Sequence, residues 1–369
     1  MTADVAPAAP VAQARSAQGG RAIGWLLVAL GVLSALAAAT AIVAQATSGA
    51  QPWTDELSDN FIFAKSIAFT LGLGVAVGAF RGRGGAKAAI APRRFSVGTA
   101  VGHWTIVLGV LLALPTGAWQ YLGGILDVAA PLPLYWFYRV HYIGATLILF
   151  SVASFVTYWW LSGDRSLVVP RAEWRGHLRG LVDELPRAIG ARLVKLLKVD
   201  MKSQPPDPGD FDFYEKVVSF PLWTFAVGLI TITGLIKASR YVFPVPGPAL
   251  YWASTLHVAA MVLIGIALLD HLRYNLGHWP DVVAMVTTRM GGGRRGLRVL
   301  FAAIGVLWAL ASLLVAYLFI TNAFVAKTAA KEGLPAQLAL LVGGAVIAIF
   351  AIALARLCAG MIRRDLCAQ

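Results

Sequence analysis

The 369-residue chain is 58% hydrophobic and only 13% charged, with a mean hydropathy of +0.71 and a formal net charge of +13. A soluble domain carries about 25% charged residues, so the composition excludes a soluble globular protein, a disordered one and a fibrous one. Two cysteines, Cys358 and Cys367, exclude a disulfide scaffold and a Cys-ligated iron–sulfur cluster. The excess of Lys and Arg reads as the basic loops of a membrane protein, with no nucleic acid implied.

A bilayer core is crossed by about 20 apolar residues in a helix. Eight segments meet that pattern, at 23–45, 61–80, 99–121, 134–161, 218–238, 249–272, 299–321 and 337–360. The expected fold is all-α, a polytopic membrane bundle of about eight helices. Residues 1–20, rich in Ala, Pro and Gln, read as a disordered tail. Ala44-Gln45-Ala46 resembles a signal-peptidase site, but the apolar run before it is longer than the usual ~7–15 residues, which favours a retained helix.

The charges orient the spans. With the N-terminus inside, 25 basic residues fall on the cytoplasmic side. Only Lys237, Arg240, Lys327 and Lys331 fall on the other, a bias that places both termini in the cytoplasm of a bacterial inner membrane. The 46–60 loop carries Asp55, Glu56 and Asp59 and no basic residue, as an exterior loop does. The long 163–217 loop is nearly balanced, ten basic residues against nine acidic. Within it, 187–198 (RAIGARLVKLLK) sets Arg187, Arg192, Lys195 and Lys198 against an apolar face, the pattern of an interfacial helix. The acidic stretch 205–215 (PPDPGDFDFYE) reads either as a solvated linker or as a face for a soluble partner.

Ionisable groups inside spans are costly and mark function by default. Four of six histidines lie there: His103, His141, His257 and His271. His257 and His271 share one span at a separation of fourteen residues, 40° short of four full turns, so both face one side about 21 Å apart. Each has one counterpart at matching depth, His141 for the exterior His257 and His103 for the cytoplasmic His271. Two bis-imidazole pairs stacked across a bilayer suit two b-type haems. Gly109, Gly144 and Gly265 are expected to leave gaps for a porphyrin. Arg139 is placed to meet a propionate of the exterior haem. Arg273 and Asn275, just beyond His271, are the donors for a quinone or for a propionate of the cytoplasmic one. His177, beside Trp174 and Arg175, reads as a surface residue, and His278 as a helix-end cap or a neighbour of a quinone or propionate.

These residues resemble the cytochrome b gamma subunit of membrane-bound formate dehydrogenase. The likeness covers 94–290 and rests on Arg94-Phe95, His103-Trp104, Thr116-Gly117, His141, the His257…His271 pair and the MVTTRMGGG stretch at 285–293. The related hydrogenase and thiosulfate reductase cytochromes b are similar. The resemblance implies a four-helix di-haem core in which His141 and His257 ligate the exterior haem, and His103 and His271 the cytoplasmic one. It also implies an iron–sulfur beta subunit and a catalytic alpha subunit on the periplasmic side. Electrons then pass inward to quinone, which takes its protons from the cytoplasm. Formate chemistry is expected elsewhere, since the chain has no molybdenum-binding motif and no cluster-binding cysteines. The chain departs from the family in having two spans before the core (21–93) and two after it (291–369). A hydrogenase or thiosulfate/polysulfide reductase donor is the alternative, and a haem-free transporter or scaffold is a third reading.

The topology is open to a direct check. A cysteine introduced at Thr54 is expected to react with an impermeant reagent added outside intact cells, and one at Gly84 to stay unlabelled; the reverse pattern would invert the orientation.

Overall fold

A computed structural model of the chain describes residues 10–47, 60–85, 95–126, 134–202, 204–207, 209, 211–240, 242–287, 295–324 and 326–367. The long helices are α1 (Pro10–Thr47), α2 (Asn60–Gly82), α3 (Val97–Leu126) and α4 (Leu134–Ser162). The two short helices α5 (Trp174–Glu184) and α6 (Arg187–Leu197) lie in the long loop. Then follow α7 (Phe220–Ser239), α8 (Gly247–Gly277), the short α9 (Trp279–Thr287), α10 (Arg295–Ala323) and α11 (Ala326–Cys367). There is no strand among the described residues. Most of the acidic 46–60 loop, Arg94 and most of the MVTTRMGGG stretch lie outside the described residues.

Among the described residues, seven helices are long and apolar enough to cross a membrane: α1, α3, α4, α7, α8, α10 and α11. The eighth expected span is α2, 23 residues long with Lys65 and Arg81 as its charged residues. It packs along both α1 and α4. Helix α1 starts at Pro10, inside the stretch read as tail, and its apolar part begins at Gly20.

Membrane helices gain nothing from burying apolar side chains against one another, so close backbone approach decides which pairs form. Gly109 of α3 and Gly144 of α4 face each other. A Cβ on Gly144 would lie 2.6 Å from both the Gly109 carbonyl oxygen and the Ala113 nitrogen. These two glycines therefore do not leave room for a porphyrin, as the sequence suggested; they bring two backbones into contact. Gly265 differs, with nothing within 4 Å of its Cβ position.

Two apolar clusters result, and α8 belongs to both. One joins α3, α4, α7 and α8 through Val110, Ala113, Ile148, Ala226 and Ile264. The other joins α8 and α9 to α10 and α11 through Leu269, Leu276, Val283, Ala309, Leu354 and Cys358. The two C-terminal helices thus cover the face of α8 turned away from α3 and α4.

The long loop is folded. His177, expected at the surface, is only 2% exposed. Its Nδ1 lies 3.1 Å from the Glu173 carbonyl oxygen, and its ring meets Phe213 edge to face at 5.5 Å. Sequence reading missed α5, which is amphipathic and buries His177, Gly180, Leu181 and Val182. The Glu184 carboxylate accepts the backbone N–H groups of Phe213 (3.1 Å) and Tyr214 (2.9 Å), so the end of the acidic stretch is clamped rather than free. Burial pushes the Glu184 carboxyl above the usual range, against these two donors. Helix α6 forms as expected and leaves Ile189, Leu196 and Leu197 exposed beside its basic residues.

The glycine contacts give a contrast. Replacing Gly144 by Ala is expected to destabilise the detergent-solubilised protein by about 1–3 kcal/mol, the usual cost of overpacking, whereas Gly265→Ala should leave the thermal midpoint near that of the parent chain.

Candidate functional site

Helix α8 sets the frame. Its fourteen-residue spacing projects His257 and His271 from one side, about 21 Å apart along the axis. Helix α3 starts at the His271 end and sets His103 against it, with ring centroids 6.1 Å apart. Helix α4 sets His141 against His257 at 6.4 Å. The structure therefore brings together the same two pairs that span depth predicts.

Two metal–imidazole bonds of about 2 Å plus two ring radii separate the centroids of an axial ligand pair by about 6 Å. Both pairs have that spacing, so the residues present fit a haem iron between each. Ile264 lies on the histidine side of α8, halfway between them, in the apolar cluster it shares with Val110, Ala113, Ile148 and Ala226. One apolar layer thus separates two polar sites.

A ring nitrogen is free to bind metal when the other is occupied by a hydrogen bond. His141 Nδ1 is 2.9 Å from the Ala113 carbonyl oxygen and 3.4 Å from Thr116 Oγ1. His257 Nδ1 is 2.9 Å from Thr233 Oγ1. Both rings also ride against glycines. A Cβ on Gly117 would sit 2.9 Å from His141 Cε1, and one on Gly234 would sit 3.4 Å from His257 Cε1. At the other end, His271 Nδ1 faces Asn275 Nδ2 at 3.1 Å, and the same amide nitrogen donates to the His271 carbonyl at 2.8 Å. His103 Nδ1 is buried with no hydrogen-bond partner among the described residues. Trp223 of α7 meets His271 edge to face at 5.8 Å.

The remaining predicted residues separate. Arg273 donates to the Asp270 carboxylate at 2.7 Å, and Asn275 turns onto His271, so both are engaged by the protein itself. Arg139 lies half-buried on α4, one helical turn away from Tyr142 and close in sequence to His141. His278 follows the last turn of α8 as its cap, with its N–H 2.9 Å from the Asn275 carbonyl oxygen and its ring stacked on Tyr274 at 4.3 Å.

Sequence reasoning missed Thr233, Trp223, Tyr214 and Asp270. Asp270 had a signal, being an acidic residue inside a span and directly before a histidine. It is 5% exposed and accepts hydrogen bonds from Arg273 and from the Tyr214 hydroxyl. Burial and the Asp270 carboxylate push the Tyr214 phenol well above its ordinary range. Tyr214 stacks on Tyr274 at 5.0 Å, so the Glu184 clamp, the acidic stretch and the end of α8 form one polar assembly beside His271.

A helical bundle with paired imidazoles at two depths defines a membrane protein of the b-type cytochrome class. The chain belongs to the prokaryotic cytochrome b561 family, whose sequence model matches residues 94–293. It is accordingly a membrane cytochrome b that binds haem b and serves electron transfer. The matched region takes in α3 to α9 and leaves α1, α2, α10 and α11 outside it. Comparison with curated proteins and with solved structures gave no match.

The ion pair has a measurable consequence. Arg273→Gln leaves the buried Asp270 carboxylate without its counter-charge. The full penalty for such a loss is about 3–5 kcal/mol; because Arg273 is 37% exposed, a cost of about 1–3 kcal/mol is expected in denaturant unfolding. An unchanged unfolding midpoint would show that the pair contributes nothing to the fold.

Proposed function

We propose that this chain is the membrane-anchoring cytochrome b subunit of a formate dehydrogenase. In this reading it passes electrons from a periplasmic iron–sulfur partner through two b haems to membrane quinone. The observation that carries the reading is the pair of imidazole pairs, 6.1 and 6.4 Å apart, set at the two ends of one helix face. Haem b, when bound, supplies one-electron exchange between ferric and ferrous iron. The chain's own residues supply position and environment. His141 and His257 hold the exterior site, His103 and His271 the cytoplasmic one, and the layer around Ile264 keeps the two apart. Arg139 is assigned to a propionate of the exterior haem.

The quinone is assigned to the cytoplasmic end, where Tyr214, Asp270, Arg273, Asn275 and His278 gather beside His271. The core is assigned to 94–290, with 21–93 and 291–369 as flanking helical pairs that cover it and carry subunit contacts. The basic bias of the loops orients the electron path inward. The likeness of 94–290 to formate dehydrogenase gamma subunits favours formate over hydrogen or thiosulfate as the donor's substrate. Co-purification with a molybdenum-containing and an iron–sulfur subunit supports that choice, and co-purification with a hydrogenase overturns it.

The ligands are tested by single substitutions. Reduced-minus-oxidised spectra of the purified chain are expected to show b-type α-bands from two haems. His141→Ala should lose the exterior haem and His103→Ala the cytoplasmic one, each retaining about half the haem with low-spin bis-imidazole character in what remains. Two haems per chain in both variants would exclude these histidines as ligands.

A further inference from the structure

Helix α7 brings no histidine to the four-helix core, yet it places one hydroxyl directly on a histidine. Thr233 is 2% exposed, and its Oγ1 lies 2.9 Å from His257 Nδ1. The same oxygen is 2.7 Å from the Leu229 carbonyl oxygen and 3.2 Å from that of Ile230. Two oxygens at 2.7 Å repel unless a proton lies between them. A carbonyl has no proton to give, so the hydroxyl donates to Leu229. A hydroxyl has only one proton, and what Thr233 then offers His257 is a lone pair. The proton of that contact must belong to the ring. His257 therefore carries its proton on Nδ1 and presents a bare Nε2.

The opposing ring obeys the same logic by another route. The Ala113 carbonyl oxygen at 2.9 Å can only accept from His141 Nδ1. Both rings of this pair are held in the tautomer that leaves Nε2 free across a 6.4 Å centroid separation. The other pair has no such arrangement. Asn275 Nδ2, itself 2.8 Å from the His271 carbonyl, lies 3.1 Å from His271 Nδ1, and His103 Nδ1 has no partner among the described residues.

We propose that Thr233 is a positioning residue for the exterior haem site: by accepting the Nδ1–H of His257 it fixes the tautomer and ring plane in which Nε2 faces His141. The proposal rests on the haem reading above. An acceptor on Nδ1–H also raises the basicity of the ligating nitrogen and so favours the ferric state. Valine has nearly the shape of threonine but cannot accept. In Thr233→Val the ring loses the acceptor at 2.9 Å and keeps only the Ile230 backbone carbonyl for its Nδ1–H, which no longer fixes the ring plane.

The test uses the full-length chain in detergent, with haem b as the probe. Haem loss to excess apomyoglobin and a redox titration followed by low-spin EPR are recorded for the parent, Thr233→Val and Thr233→Ser. Thr233→Val is expected to weaken haem retention at the His141/His257 site by about 10–100-fold, the usual effect of losing such an outer hydrogen bond. The midpoint potential of that haem should move to a more positive value. The haem at His103/His271 should keep its signal and potential, which reports that the bundle is intact. Thr233→Ser, which retains the hydroxyl, should restore both properties. No change at either haem in Thr233→Val, or equal loss at both, would overturn the proposal. A parent chain without b-type absorption would instead overturn the two-haem reading, and this proposal with it.

Discussion

Four imidazoles inside one apolar bundle are the constraint on this fold, because the surroundings offer no water to replace a missing partner, and His103 Nδ1 still has none among the described residues. An unpaired polar group in an apolar interior costs on the order of 1–3 kcal/mol by mutational measures. Four such rings inside one membrane bundle would be a heavy liability if they were scattered. They are instead brought into two facing pairs, and most of the packing can be traced to that requirement. The backbone contact at Gly109 and Gly144 brings α4 close enough to α3 for His141 to reach the Ala113 carbonyl. Gly117 and Gly234 leave the two rings of that pair room to lie against neighbouring helices. Helix α7, without a histidine of its own, fills the fourth corner and supplies Thr233 and Trp223.

Helix α8 bears the consequences of serving both pairs. One side of it carries the histidines and Ile264, and the other carries Leu269 and Leu276 into the cluster with α10 and α11. The family match stops just before α10, and the second cluster shows what the additional C-terminal helices do structurally. They enclose the back of α8 and hold it against the core. At the other edge α2 lies between α1 and α4, so the matched region is flanked by a helical pair on each side.

Much of this was legible in the chain. Apolar segments located the helices because crossing a bilayer demands an uninterrupted run, and the one ambiguous segment was the first, where Ala44-Gln45-Ala46 resembles a cleavage site. The histidine pairing was legible because a fourteen-residue interval on one helix fixes both azimuth and depth. The glycines were misread, since composition cannot tell a residue that opens a gap from one that lets two backbones touch. His177 was misread for a related reason: Arg175 and Arg179 flank it in sequence, and only the fold brings Phe213 over it. Thr233 was not legible at all. A threonine in an apolar span usually bonds its own helix, and its second role depends on α8 lying alongside.

The layer around Ile264 has a consequence of its own. If electrons pass between the two histidine pairs, as proposed above, this layer is what they would cross, and a route for electrons need not be a route for ions. Electrons cross a short apolar gap without atomic motion, whereas protons need a chain of water or polar groups to step along. Val110, Ala113, Ile148, Ala226 and Ile264 give such a chain nothing to hold. Their side chains come from all four helices that carry or support the histidines, so the seal closes wherever the sites themselves are assembled. On the two-haem reading, the layer would let an electron pass while giving a proton no polar group to step along.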